Sequence, residues 1–558
     1  MSPLNSTQAK RLSLVLGLSM LFVGVCGLSY EYSFSKLASD VLGNATKQWA
    51  LVIGVMMLFM GLGADLQKYL SDQNLVDRFI GLEILLGIVG GWGITLSWYV
   101  FGQWHDAFVL VHYGLIALVG LLIGLEIPLL TRVNETCLPS LKENLGMILK
   151  MDYIGSFLGA LIWVYLLTKY FNLLEITYLL GLINLAVALA ALWFFRDFVK
   201  YPRRLAMLGG LAMLALGIGF WQGEPLRLAL EQRLFKDPII LAKTTPYQRI
   251  LLTKNLRGEL DCYINGHLQF SSRDEWIYHE FLVHPALRAI ENPKRVLVLG
   301  GGDGLAVREI LKYPSIEQID LVDLDPAMTD LAQTQPDLVK LNQGAFQNAK
   351  TKLLASQGVS PGESYLLEQQ GQGFFRRQKK SEAVELAVYN LDAFLFAQSA
   401  PGIYDAIILD FPDPNDLNLS KLYSVEFYQL LKDKLVLGGV LVQQATSPAF
   451  AKEPFLIIGK SMEQAGFSTL PIHHLVPSFG DWGFWLAGHR EAFGNRGLRE
   501  QVLTERPLAE GVRYLTPELI GASTQFGQKQ LDWTDLEPNH LLKDSLFAHY
   551  REAWERLQ

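Results

Sequence analysis

Seven runs of apolar residues, at about 13–29, 48–70, 79–101, 107–130, 146–168, 174–194 and 204–221, dominate the first 222 residues of this chain. Each is long enough to cross roughly 30 Å of hydrocarbon as a helix. In lipid the backbone must satisfy its own hydrogen bonds, so such a stretch has few folds open to it besides a helical bundle. The first run follows Lys10 and Arg11, as in a signal peptide. However, Leu28-Ser29-Tyr30-Glu31-Tyr32 offers no small-residue cleavage site and six more runs follow, so it is expected to be a retained helix. Closely spaced glycines such as Gly87, Gly90, Gly91 and Gly93 are expected at helix contacts. Glu126 before Pro128 and Asp152 before Gly155 are costly in lipid and need partners, either at the interface or along a substrate path. His112 is expected to be a packed histidine.

Charge divides the chain at the same place. The first 222 residues hold 27 charged side chains and the remaining 336 hold 76, within a total net charge of −7. That excludes a single soluble domain and intrinsic disorder. The second part is net acidic, which speaks against a nucleic-acid surface. Cys26, Cys137 and Cys262 are scattered without a CxxC, so neither disulfide staples nor a thiolate metal site is expected. With the N-terminus in the cytoplasm, about eleven Lys and Arg fall on the cytoplasmic side. Three, Lys36, Lys47 and Lys169, fall opposite. Seven spans then carry the rest of the chain to the far side, and a count differing by one returns it.

Beyond the bundle, residues 238–272 alternate in short β-type runs with turn signals at Arg257-Gly258 and Asn265-Gly266, which predicts a small antiparallel sheet. Helical periodicity follows over 274–291. The run 295–300 (RVLVLG) reads as a buried parallel strand leading into Gly300-Gly301-Gly302-Asp303-Gly304 and then a helix with Arg308 and Glu309. Nineteen residues past Gly304, the next strand ends in Asp323. Strand, glycine loop, helix and acid-tipped strand make a nucleoside-binding unit, with the acid placed for ribose hydroxyls. The dinucleotide fingerprint fails because position 305 is Leu, and Asp303 would stand where a pyrophosphate must sit. An adenosyl sulfonium fits better than NAD. Two further strands lead to Asp392 and to Asp410-Phe411-Pro412-Asp413. Asp303, Asp323, Asp392, Asp410 and Asp413 thus all follow strand ends, a poor setting for phosphate and a good one for cations.

Residues 240–558 resemble the spermidine synthase (polyamine aminopropyltransferase) family, and the whole chain resembles its membrane-spanning bacterial branch. The motifs are Tyr247-Gln248, Gly266-x-x-Gln269, Asp274-Glu275-x-x-Tyr278-His279-Glu280, the glycine loop with Arg308-Glu309, Asp323, Asp392-Ala393, Asp410-x-x-Asp413-Pro414, Leu422-Tyr423, Phe427-Tyr428, and Pro477 through Trp482-Gly483-Phe484. The resemblance implies transfer of the aminopropyl group of decarboxylated S-adenosylmethionine, a co-substrate rather than a cofactor, to putrescine. The products would be spermidine and 5′-methylthioadenosine. It implies Asp410 and Tyr278 as the catalytic pair. Gln248, Asp303, Asp323, Asp392, Gly300 and Gly302 would bind the donor, and Asp413, His279, Gln269 and Trp482 the acceptor, with no metal. Asp303 would take the donor's ammonium and repel the carboxylate of ordinary S-adenosylmethionine.

The expected architecture is a membrane helical bundle over 1–222, followed by α/β. A small β domain would span 223–290, and a Rossmann-like domain of the methyltransferase type 291–558. Expected partners are these small molecules, the lipid bilayer and a second copy as a homodimer, with no nucleic acid; the expected location is the inner cell membrane, multi-pass. Alternatives are the same chemistry on another amine, or a non-catalytic membrane sensor or transporter of polyamines. Three departures from soluble members stand out. They are Phe411-Pro412 after the catalytic acid, Ser at 272 for a usual Glu, and a polar, Gln-rich, locally basic segment over about 353–384, expected to be an inserted exposed loop.

Overall fold

The computed structural model describes residues 6–43, 45–347, 351–357, 384–400, 402–532 and 535–556, and the chain divides into two compact units, Met1–Ile239 and Ile240–Gln558. In the first, the apolar runs become helices α1 (Ser6–Leu42), α2 (Ala45–Leu66), α3 (Leu75–Gln103), α4 (Phe108–Asn134), α5 (Leu141–Ile162), α6 (Leu173–Phe194) and α7 (Pro202–Trp221). All seven are long and apolar enough to cross a membrane. Small residues let their backbones touch. A Cβ on Gly124 of α4 would stand 2.0 Å from the Met60 carbonyl oxygen of α2, and one on Gly155 of α5 2.1 Å from that of Leu21 in α1. Gly87 and Gly181 bring α3 and α6 together in the same way. His112 is buried, with Nδ1 3.0 Å from Ser97 Oγ, Nε2 3.2 Å from the Phe34 carbonyl, and its ring stacked on Phe108. It is a packed histidine, as expected. Glu126 lies buried inside the bundle rather than at its edge.

The second unit begins with an antiparallel sheet of β1 (Ile239–Thr244), β2 (Arg249–Lys254), β3 (Leu260–Ile264) and β4 (His267–Ser271), in that spatial order. Asn265 and Gly266 join β3 to β4 with φ of 51° and 85°, the left-handed pair a tight two-residue hairpin turn needs. Helix α8 (Glu275–Ala289) leads to an eight-stranded sheet. Its strands are β5 (Arg295–Gly300), β6 (Gln318–Val322), β7 (Thr351–Gln357), β8 (Val384–Tyr389), β9 (Tyr404–Asp410), β10 (Leu435–Gln444), β11 (Phe467–Val476) and β12 (Gly480–His489). Their order across the sheet is β11-β12-β10-β9-β5-β6-β8-β7. All pairings from β10 to β7 are parallel, and β12 runs antiparallel to both β10 and β11. Alternate residues of β5 enter two cores: Val296 and Val298 on one face, Leu297 and Leu299 on the other. Burial on both faces explains the unbroken apolar run. The segment expected as an insertion over 353–384 is corrected at its start: 353–357 belong to β7 and continue the sheet beside β8, while 358–383 lie outside the described residues.

Two acids of the 274–280 motif hold the unit together. Asp274 accepts from the Ser478 backbone N–H at 2.6 Å and its hydroxyl at 2.8 Å. Glu280, fully buried, accepts three successive N–H groups, those of Arg513, Tyr514 and Leu515, at 2.6, 2.8 and 2.7 Å. Each buried donor left unpaired costs about 1–3 kcal/mol. Glu280→Ala is therefore expected to lower unfolding free energy by about 3 kcal/mol or more, read by denaturant unfolding of the full chain.

Candidate active site

The first strand of the parallel sheet, β5, lies between β6 and β9, so the chain turns opposite ways from it and opens a crevice at the strand ends. Gly300 and Gly301, with φ of 82° and 67°, turn the chain out of β5 there. The lack of side chains also makes room: a Cβ on Gly301 would stand 2.9 Å from Asp410 Oδ2, and one on Gly302 2.5 Å from Asp323 Oδ2. Asp323 accepts from the Gly302 and Asp325 N–H groups, both at 2.9 Å, which fixes its carboxylate against the loop. Asp303 accepts from the Leu305 N–H at 2.9 Å.

Asp303, Asp410 and His279 converge, each offering a ligand atom within 4.8 Å of the others. The Tyr278 hydroxyl donates to Asp410 Oδ1 at 2.7 Å. His279 Nε2 stands 3.9 Å from Asp410 Oδ2, and Nδ1 stands 2.9 Å from Glu275 Oε2 and 2.7 Å from the Glu275 carbonyl. Behind it, Arg308 clasps Glu275 with two bonds of 2.7 and 2.9 Å.

Burial sets the charges. It pushes Asp303 up to about 7, with His279 opposing and Asp410 adding to the rise. Burial likewise raises Asp410, and lifts Asp323 and Asp413 to about 6. For His279 burial works against the charged form, but the Glu275 bond and the nearby acids outweigh it and bring it up to about 9. Glu275 in turn lies below the usual carboxylate range, because His279 and Arg308 overcome its burial. A lone imidazole and two carboxylates at this spacing suit a divalent cation or an ammonium group.

Asp413 forms the next station. Its Oδ2 accepts from the Tyr550 hydroxyl of α11 (Leu546–Glu555) at 2.9 Å, and its buried Oδ1 has no hydrogen-bond partner among the described residues. Trp482 packs on Phe479, which packs on Tyr278, and its buried Nε1 is also without a partner among the described residues. Gln248 sits in a turn whose Thr245 binds Asp325, two residues from Asp323. Asp392 caps helix α10 (Ala393–Ser399) through Oδ1 and accepts Lys421 at 2.7 Å through Oδ2. Gln269 bonds within its own strand, to the His267 carbonyl at 3.1 Å. Sequence reasoning left Glu275 without a role, although its spacing of four from His279 places both on one helix face. It also missed Tyr550, for which no local signal exists, and gave Phe479 no role although it lies between Pro477 and Trp482.

The chain matches the spermine/spermidine synthase domain over residues 275–366 and 364–493. It is 35% identical to a polyamine aminopropyltransferase of Oceanobacillus iheyensis, across 98% of this chain and 99% of the relative. A polyamine aminopropyltransferase of Ralstonia nicotianae is 37% identical, across 97% of this chain and 98% of its own length. Among solved structures, a spermidine synthase from Thermotoga maritima is 22% identical and covers 52% of this chain and 87% of that one, at a TM-score of 0.39.

Seating a cation beside Asp303 requires its carboxylate, so binding must expel the proton held below about pH 7. Affinity for an alkyl diammonium is therefore expected to be highest above pH 7. It should fall by up to about tenfold per pH unit below it. Calorimetric titrations in buffers of different protonation enthalpy check this; affinity unchanged between about pH 5 and 8 would contradict it.

Proposed function

The chain belongs to the polyamine aminopropyltransferase family, and on that premise we propose that it moves the aminopropyl group of decarboxylated S-adenosylmethionine to putrescine, giving spermidine and 5′-methylthioadenosine. The observation that carries this reading is the convergence of Asp303 and Asp410 against the glycine loop, with His279 beside them. That pocket repels phosphate and carboxylate and welcomes ammonium.

In this reading Asp323 holds the ribose, with Gln248 on the nucleoside side, Asp392 toward the adenine, and Gly300 and Gly302 giving the nucleoside close access to the backbone. Asp303 binds the ammonium at the far end of the aminopropyl chain. The attacking amine of the diamine lies against Asp410, oriented by the Tyr278 hydroxyl on Oδ1. Its nitrogen forms a bond to the carbon next to sulfur. The carbon–sulfur bond breaks, its electron pair neutralises the sulfonium, and the amine proton passes to Asp410. Holding amine and carbon in line supplies much of the remaining rate. The other ammonium of the diamine lies by Asp413, whose buried Oδ1 lacks a hydrogen-bond partner among the described residues. His279 opposes the rise that burial gives Asp303 and Asp410. The chemistry calls for no cofactor, and the seven apolar helices support a place in the membrane.

Asp410→Asn is expected to lower kcat by about 10²–10⁴-fold, the usual contribution of a positioned base, while donor affinity stays within a few fold. The assay is release of methylthioadenosine by the solubilised full chain, with donor binding followed separately. Asp413→Asn should raise KM for the diamine and leave donor affinity unchanged. Methylated amine as product, or full turnover in Asp410→Asn, would overturn the assignment.

A further inference from the structure

Inside the helical unit, polar side chains from five helices gather at a place the transferase reaction does not use. Glu83 of α3 and Glu126 of α4 are both 0% exposed, and their carboxyls lie within hydrogen-bonding reach of each other. Asn184 of α6 donates its Nδ2 to Glu83 Oε2 at 3.1 Å, so its amide is aimed into the pair. Cys26 and Tyr30 of α1 lie within electrostatic range of both glutamates, and Asp152 of α5 within range of Glu126.

The cluster leaves several buried polar atoms unpaired. Glu83 Oε1, both Glu126 oxygens, Asn184 Oδ1 and the Tyr30 hydroxyl are buried without a hydrogen-bond partner among the described residues. Unpaired acceptors are costly in any interior, and ionisable ones inside a membrane bundle mark functional sites by default. A proton shared between the glutamates would satisfy Glu83 Oε1 and one Glu126 oxygen. It would leave the second Glu126 oxygen and the Asn184 oxygen unmet. A protonated primary amine supplies a positive charge and three N–H donors to this set of acceptors. A metal fits less well. Among the described residues, the group of three His, Cys, Asp or Glu donors gathered tightly enough for an ion is His279, Asp303 and Asp410, in the other unit.

We propose that the core of the helical bundle is a second cation site, which holds a protonated alkylamine between Glu83 and Glu126 with Asn184 and Tyr30 completing its hydrogen bonds. The site goes beyond the transfer reaction and rests on that reading only for the choice of polyamines as probes.

Equilibrium dialysis of radiolabelled spermidine against the full chain, in nanodiscs of uncharged phospholipid, tests it. The expected result is two equivalents bound per chain, falling to one in Glu126→Gln and in Glu83→Gln, with methylthioadenosine release unchanged in both. Should either variant fail to fold, Tyr30→Phe removes one buried hydroxyl and is expected to weaken the second equivalent several-fold. A single equivalent in the parent chain, or two that persist in Glu126→Gln, would overturn the site. Displacement by sodium or potassium, with no amine retained, would overturn the alkylamine class. The two readings fail separately: loss of transferase activity with the bundle equivalent intact rejects the reaction and keeps this site.

Discussion

The charges of the active site hang on one buried pair, Arg308 with Glu275. Two short bonds keep Glu275 ionised, and Glu275 keeps His279 protonated against the pull of burial. That imidazolium then faces Asp410 and Asp303, two acids that would otherwise drive each other to take up protons in a dry pocket. Arg308 is itself anchored, by Glu309 at 2.8 Å and by the Leu341 carbonyl at 2.9 Å, and Glu309 binds His284 at 2.9 Å and Lys312 at 2.5 Å. Arg308 and Glu309 belong to α9 (Leu305–Ile310), which starts as the glycine loop ends. One short stretch thus supplies both the open backbone of the pocket and the anchor of its charges.

What was legible in the amino-acid sequence was what depends on neighbours along the chain. The seven helices, the hairpin at Asn265-Gly266, the strand before Gly300 and the acids beyond strand ends all follow from periodicity and turn chemistry within a few residues. Roles set by distant partners were not legible. Asp274 and Glu280 flank Tyr278 and His279 in one motif, yet they hold Ser478 and the backbone of 513–515. Asp392 follows a strand as the other acids do, and its bond to Lys421, 29 positions on, had no signal in the sequence. Tyr550 lies 137 positions from Asp413 on a helix with no motif. The strand at 353–357 was hidden by its polar continuation, which reads as loop.

The departures from soluble relatives have a local explanation here. After Asp410, the Phe411 carbonyl accepts from Gln444 at 2.6 Å and the Pro412 carbonyl accepts from Tyr423 at 2.8 Å. Gln444 also donates to the Tyr423 hydroxyl at 2.9 Å. The path from Asp410 to Asp413 is therefore set by its backbone oxygens, and its own side chains need carry no hydroxyls. Ser272 similarly accepts the Leu260 N–H at 2.7 Å and closes the end of the small sheet, a task that needs a short side chain.

The bond from Tyr550 to Asp413 carries a consequence for how the protein is made. A chain is synthesised from its N-terminus, and its parts begin to fold in that order. The glycine loop, Asp323 and the charge anchor are all synthesised before α11. Helix α11 then docks through Leu546 and Ala553, both buried, and brings Tyr550 to Asp413. Under the proposed roles, a nascent chain makes the residues that hold the sulfonium donor before those that complete its hold on the diamine, so the pocket becomes competent to react only after α11 has docked.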